Sequence, residues 1–340
     1  MIVWKSKIIE NWGKWSLANK IPIKPTRPLK EEDIGSIKEG STRSVWMIDV
    51  PTSSGTFPVI LKLYNGSKTF LKYYEWNVYK NLKDTRVSEF MPYFYDIQID
   101  AENLEVWIFT EYLNVFGEKP KFKPADLYNI TSSLARLHAK TFEHQPVAEL
   151  IRRTVPEFQT ERRNERLENI KGYLQQAKED DFLKKVIEQY CPEIYELVER
   201  DLDFPEVIQS GKCLTHGDLH LGNICYDGQT IKFIDFGVAT FSPCWLDVVK
   251  LVETILDNRF EEKEREIRDK CIRIYLDQMQ QRGISFSEDP NRLYRMAYLM
   301  RVLEKELRRN LQATLRGKRP FVSQLVLKKI SLFSNELHLI

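Results

Sequence analysis

The chain has 340 residues, 42% of them hydrophobic and 29% charged, with a formal net charge of +2. A balance this close to neutral gives no footing to wholesale nucleic-acid binding, and no uncharged apolar run is long enough to span a membrane. The length exceeds that of a usual single core, so two lobes are expected, each burying a core of its own. At the start, "MIVWKSKIIENWGKW", Lys5, Lys7, Lys14 and Glu10 interrupt any signal-peptide apolar stretch. Trp4, Trp12 and Trp15 fit a helix docked on the protein body better than one lying at a membrane interface, since Trp rings usually pack. The five cysteines form no CxxC pair and are odd in number, which predicts reduced thiols in a cytoplasmic protein.

"IPIKPTRP" places three prolines in eight residues, an extended linker that closes a segment 1–29 ahead of the folded body. From 34 to 112, strand-like runs ("SVWMIDV", "VILKLY", "YDIQID", "EVWIFTEY") alternate with turn chemistry, and "KTFLKYYEWNVYKNL" is the one helical stretch among them. This predicts a small antiparallel sheet with one helix over 30–113. Beyond it the period changes: Leu127, Ile130, Leu134 and Leu137 mark one face of an amphipathic helix, and 147–205 and 246–340 also read as helical, giving a helical lobe over 114–340.

One hairpin interrupts these helices. In "LTHGDLHLGNICYDGQTIKFIDFGVA", residues 214–239, Asp227 and Gly228 predict a tight turn that folds the segment back on itself. Asp218, Asn223 and Asp235 then offer two carboxylates and an amide oxygen, hard ligands suited to Mg²⁺ rather than zinc. Asp218-x-x-x-x-Asn223 followed by Asp235-Phe236-Gly237 is similar to the catalytic loop and metal-binding pair of kinases. "HGDLHLGN" with "IDFG" resembles the aminoglycoside phosphotransferase and choline kinase-like family more closely than the protein kinases, whose loop has Arg at the place of Gly217 and Lys at that of His220.

The resemblance implies an α+β, protein-kinase-like two-lobe fold and a phosphotransferase using ATP and Mg²⁺. It makes Asp218 the catalytic base and Asn223 and Asp235 the metal ligands. Lys62 corresponds to the lysine on the α- and β-phosphates, and Glu75, thirteen residues on, to its partner on the small-lobe helix. "IFTEYLN" looks like the hinge, with backbone around Thr110 and Tyr112 open to an adenine edge. The phosphate-covering loop falls in "GSIKEGSTRSVWMI", which has only Gly35 and Gly40 and lacks GxGxxG. Gly40, Ser41 and Thr42 are assigned to nucleotide binding with the loop as a whole; Ser44 and Arg43 offer a further donor and a charge, and the polar residues serve equally as turn formers.

His216 is read as a brace for the loop and His138 as a buried structural histidine. His220 stands either against the γ-phosphate or in a structural hydrogen bond. Asp247 matches an aspartate of the family and equally suits a helix cap. Only 12 residues separate it from Asp235, too short a segment for a peptide-substrate platform, so the acceptor is expected to be a small hydroxyl compound. Over 292–319 nine Arg or Lys stand against two Glu; this is a solvated helix face or, if it lines the pocket, a sign of an anionic acceptor. Choline would need an aromatic cage, for which Trp245 and Tyr294 are candidates. A catalytically silent nucleotide-binding scaffold is the alternative function, opposed by the base Asp218; an unusual protein kinase is opposed by the short segment. Oligomeric state is not legible.

Overall fold

The computed structural model describes residues 2–40, 42–66, 75–116, 121–200, 202, 204–260, 263–318 and 324–339. The chain forms two compact units. The first comprises Met1–Lys121, Arg153–Val155 and Leu221–Ala239, and the second Phe122–Arg152, Pro156–His220 and Thr240–Ile340.

The first unit is built on a five-stranded sheet of order β1-β2-β3-β5-β4, from Ile34–Lys38 (β1), Arg43–Thr52 (β2), Gly55–Asn65 (β3), Phe94–Asp100 (β4) and Glu105–Glu111 (β5). Every neighbouring pair is antiparallel. Alternation along β2 and β3 sorts the side chains: Trp46, Ile48 and Val50 with Val59, Leu61 and Leu63 are buried on one face. Helix α1 (Ile2–Lys14) covers that face, and Ile8 and Trp12 join its apolar cluster. Trp12 meets Phe109 edge-on at 6.2 Å and Trp15 meets Trp107 at 5.1 Å. The tryptophan-rich start is thus core, docked as its amphipathic pattern predicts. Glu75–Leu82 forms helix α2; the upstream part of the predicted helical stretch, 68–74, lies outside the described residues.

The same unit holds a second, three-stranded sheet, β6 (Asn114–Val115), β8 (Ile224–Tyr226) and β9 (Ile231–Phe233), in the order β6-β8-β9. Asp227 shapes the turn between β8 and β9: its carboxylate accepts the Gln229 and Thr230 amides at 2.9 and 2.7 Å and the Thr230 hydroxyl at 2.8 Å. The turn spans four residues instead of the expected two because this side chain replaces strand hydrogen bonds with its own.

The second unit is mostly helical. α3 (Pro124–Thr141) buries Leu127, Ile130, Leu134 and Leu137, the predicted stripe. α4 (Thr160–Ala177) and α5 (Asp181–Tyr190) follow. The expected helix through "DFLKKVIEQYCPEIYELVER" stops at Tyr190, since Pro192 has no amide to continue it, and a single turn, Ile194–Leu197, resumes beyond. β7 (Lys212–Thr215) pairs antiparallel with β10 (Thr240–Pro243). Then come α6 (Trp245–Arg259), α7 (Glu264–Gln280), α8 (Pro290–Arg301), α9 (Arg308–Leu315) and α10 (Gln324–Glu336). Six residues of π-helix, Val302–Leu307, join α8 to α9. No described helix is long and apolar enough to cross a membrane. The five cysteines are free and buried.

Candidate functional site

In the first unit the register of β2 and β3 places Arg43 opposite Tyr64 and Val45 opposite Lys62, so these four side chains share the sheet face that α1 does not cover. Lys62 is buried and its Nζ lies 2.6 Å from Glu75 Oε1, at the first residue of α2. Glu75 has no exposure. The Tyr79 hydroxyl donates to its Oε1 at 3.0 Å and the Tyr64 hydroxyl to its Oε2. Burial first, and then the neighbouring Glu75 charge, raise both phenols well above their ordinary value, so they stay donors. A carboxylate saturated in this way can hold the Lys62 ammonium on a fixed axis.

Asp235 stands close by, Oδ1 3.9 Å from Lys62 Nζ. Its backbone is left-handed, at φ 67, and it begins the single turn Phe236–Val238. Non-glycine residues in that region are uncommon and gather at functional sites. Phe236, fully buried, packs edge-on against Tyr79 at 6.1 Å and secures the turn from below. The β8–β9 hairpin positions Asn223 beside it: Ile224 pairs with Phe233, and the next amide, of Ile234, donates to the Asn223 carbonyl at 3.0 Å. The hairpin thus sets an amide oxygen and a carboxylate at its open end, a donor set of the kind Mg²⁺ accepts.

Arg43 adds what sequence reasoning left open. Its Nη1 donates to both oxygens of Asp235, at 3.0 and 2.9 Å. Burial works against the Arg43 charge, but Asp235, Tyr64 and Glu75 together outweigh it and raise its pKa. Gly40 lies in the turn just before β2, where a Cβ would stand 2.7 Å from the Arg43 carbonyl oxygen, so the turn closes only around glycine. The Thr42 carbonyl accepts the Asn65 amide at 3.0 Å; Ser41 lies outside the described residues. Two expectations for this loop are corrected. Gly35 belongs to β1, opposite Met47, and not to the loop. Ser44 faces the core: strand alternation turns it away from Arg43, and its hydroxyl accepts the Trp46 indole N–H at 3.0 Å. At the expected hinge, Thr110 is buried in β5 opposite Ile60, while Tyr112, just past the strand, is exposed with its hydroxyl 3.5 Å from Asn114 Oδ1.

Asp218 and His220 belong to the second unit. The Asp218 side chain is half exposed, with His220 Nε2 3.9 Å from Oδ2 and Lys250 Nζ 3.8 Å from Oδ1. Its loop is tightly held. Gly217, at φ 80, and His216 each donate a backbone N–H to Asp247, the former at 2.8 Å. The Asp218 amide donates to Nδ1 of the fully buried His216 at 3.3 Å. Between the two readings of Asp247 the structure decides: its carboxylate does not cap α6 but fastens the loop ahead of Asp218. Burial alone would raise the Asp247 pKa; His138, His216 and the Gly217 amide outweigh it and hold the group below its ordinary value. Asp247 lies 3.6 Å from His138 Nε2, and His138 Nδ1 meets the Tyr275 hydroxyl at 2.9 Å.

The aromatic-cage candidates are corrected. Trp245 is fully buried, 5.3 Å from Tyr275 and 5.2 Å from Phe286, and Tyr294, equally buried, donates to Glu253. Both complete the helical core and neither can meet a ligand. The basic stretch is divided: Arg292 and Arg316 are exposed, whereas Arg301 is buried and donates to the Gly217 carbonyl at 3.3 Å.

Residues 37–282 match the model of the phosphotransferase enzyme family. No curated protein sequence matches significantly. Among solved structures, the GDP complex of aminoglycoside 2′-phosphotransferase-IIIa is similar at 15% identity and TM-score 0.59, covering 98% of this chain and 99% of that one. Choline kinase from Cryptosporidium parvum Iowa II is similar at 14% identity and TM-score 0.56, covering 96% of each chain. For Plasmodium vivax ethanolamine kinase the values are 14% and 0.53, over 93% of this chain and 84% of that one. These likenesses establish the kinase-like fold, and with 246 consecutive residues matched between 37 and 282 the chain belongs to the phosphotransferase enzyme family.

Proposed function

We propose that the protein transfers the γ-phosphoryl group of ATP to a hydroxyl of a small molecule. The observation that carries this reading is the buried Lys62–Glu75 pair, 2.6 Å apart, with Asp235 3.9 Å from the same ammonium and Asn223 at the base of the same hairpin. A nucleotide-binding scaffold would also use Lys62 and Asp235, but it has no need of a base at Asp218. The similar solved structures include a choline kinase, an ethanolamine kinase and aminoglycoside phosphotransferases, one of them a streptomycin–ATP complex.

In this reading Lys62 binds the donor phosphates, its direction set by Glu75. Asn223 and Asp235 would hold Mg²⁺, which when bound neutralises charge on the phosphates. Thr110 and Tyr112 offer backbone groups to the base, and Gly40, Ser41 and Thr42 form the turn over the phosphates. Asp218 orients the acceptor hydroxyl and takes its proton as the new O–P bond forms and the β–γ bridge breaks, releasing ADP. His216 and Asp247 hold the Asp218 loop; His220 lies beside Asp218, within reach of the same reacting groups. Domain limits at 1–29, 30–113 and 114–340, and a cytoplasmic location for a chain of free thiols, complete the proposal. Only 12 residues run from Asp235 to Asp247, and β10 with the start of α6 occupies most of them, which favours a small acceptor over a peptide.

The test is Mg·ATP turnover against a panel of hydroxyl metabolites. Asp218→Asn should lower transfer at least a hundredfold while Mg·ATP affinity stays within about twofold. Nucleotide binding without phosphorylation of any panel member would favour the silent scaffold, and an equal loss of binding in the variant would remove Asp218 from the role of base.

A further inference from the structure

Beside Asp218 the second unit contains a small cleft, lined among others by Lys250, Arg301, Glu306, Tyr298, Glu253 and Asp257. We propose that the acceptor carries an oxyanion, a carboxylate or phosphate, near the hydroxyl that is phosphorylated, and that Lys250 and Arg301 bind it. This rests on the kinase reading and names the class of its second substrate.

The charges in the cleft are unequally matched. The buried Glu253 and the exposed Asp257 are engaged from behind, by cations that Glu264 shares. Glu253 takes Arg268 Nε and Lys329 Nζ, each at 2.6 Å, and the Tyr294 hydroxyl at 2.6 Å, while Asp257 takes Lys329. Lys250 and Arg301 then have Glu306 between them, 3.8 Å from the first and 3.3 Å from the second. Glu306 is shared by both cations, Lys250 has Asp218 Oδ1 as its other carboxylate at 3.8 Å, and both Lys250 separations are too long for a hydrogen bond. Arg301 Nε and Glu306 Oε2 are both buried without a hydrogen-bond partner among the described residues. A buried guanidinium N–H left unpaired is costly, and a bound oxyanion would accept from that donor and from the Lys250 ammonium, which has no carboxylate within hydrogen-bond distance among the described residues.

Local structure and electrostatics point the same way. Arg301 ends α8 where the backbone widens into the π-helical Val302–Leu307, a form of helix frequent at functional sites. Burial, and then Arg301 and Arg309, push the Lys250 pKa down, as expected of a cation short of counter-charge. Both side chains also touch the loop of the base, Lys250 at Asp218 Oδ1 (3.8 Å) and Arg301 at the Gly217 carbonyl (3.3 Å). An anion seated on them is therefore fixed relative to the carboxylate that receives the hydroxyl proton. A polycationic or quaternary-ammonium acceptor would meet two like charges there.

The experiment begins with Mg·ADP binding by calorimetry, expected to be alike in wild type, Lys250→Met, Lys250→Arg and Arg301→Met. Inorganic phosphate and, in a separate arm, malonate are then titrated into the Mg·ADP-saturated proteins; the arm that binds tells phosphate from carboxylate. Wild type should bind at least one, Lys250→Met about tenfold or more weakly, and Lys250→Arg close to wild type. Turnover should favour the oxyanion-bearing member of structurally matched pairs, glycerol 3-phosphate over glycerol and serine over ethanolamine. If Mg·ADP binds normally but both anions fail to bind, or bind Lys250→Met and Arg301→Met as tightly as wild type, the inference falls and the kinase reading stands. Failure of wild type to bind Mg·ADP would overturn both. Lys250→Met keeps the test open should Arg301→Met misfold.

Discussion

Replacing Asp247 tests whether one buried carboxylate holds the loop that carries Asp218. The side chain is 1% exposed and accepts the amides of His216 and Gly217, the latter at 2.8 Å. Hydrogen bonds to a charged acceptor contribute about 1.5–3 kcal/mol each, and a buried N–H left without a partner costs about 1–3 kcal/mol. Asparagine at 247 has one acceptor oxygen, and its NH₂ faces the other amide as a second donor. Asp247→Asn should therefore lose about 2–4 kcal/mol, and Asp247→Ala, which abandons both amides and the nearby His138, about 3–5 kcal/mol. Urea unfolding followed by tryptophan fluorescence measures the loss, and hydrogen exchange at residues 216 and 217 locates it. The pH dependence has a definite sign. The Asp247 pKa is below its ordinary value of 3.8 in the folded chain, so its contribution is fully present above that pH and fades as pH falls below it. An Asp247→Asn variant within about 0.5 kcal/mol of wild type, with unchanged exchange at both amides, would refute the reasoning.

Two further perturbations follow from the charges. Arg43→Ala removes a competitor from both oxygens of Asp235 and a cation from the phosphate side. ADP affinity in EDTA should fall about tenfold while the Mg²⁺ concentration needed for half-maximal nucleotide binding also falls, both read by calorimetry; unchanged values in both arms would exclude Arg43 from the site. For Glu253, burial alone would raise the pKa, but Arg268 and Lys329 hold it at about 2, against an ordinary value of 4.5. Its stabilisation is complete above pH 4.5 and is lost on the way down to about 2. Between those limits wild type should lose on the order of 3 kcal/mol more than Glu253→Gln in urea titrations, and parallel pH profiles would contradict the pairing.

Features of the fold whose determinants are local were legible in the sequence. The alternation in "SVWMIDV" and "VILKLY" needs only a period of two, and the stripe Leu127, Ile130, Leu134 and Leu137 only a period of 3.6. The hairpin announced itself because Asp218, Asn223 and Asp235 lie within 18 positions of one another. What could not be read were partners chosen by tertiary structure. Arg43 and Asp235 are 192 residues apart, and Gly217 and Arg301 are 84 apart. Composition marked 292–319 as basic, but the burial of Arg301 alone in the cleft depends on how α8 and the π-helical turn are seated. Trp245 and Tyr294 misled for the complementary reason, since an aromatic residue reads alike whether it lines a ligand site or fills a core.

The scarcity of glycines in the turn proposed to cover the phosphates takes on a physical sense from the register of one strand pair. A glycine-rich loop binds phosphate with backbone amides and carries no charge of its own. Here the turn retains a single obligatory glycine, Gly40, and the next strand opens on Arg43, opposite Tyr64 and one step of alternation from the Val45–Lys62 pair. A shift of one residue would exchange Arg43 for Ser44, send the guanidinium into the tryptophan-lined core and take it away from Asp235. The core that α1 completes through Trp12 forbids that shift, because Trp46, Ile48 and Val50 would have to leave it together. Packing on one face of the sheet thereby fixes which charges stand on the other, and the tryptophans at the start of the chain bear on Arg43 and Lys62 from the opposite face of the sheet.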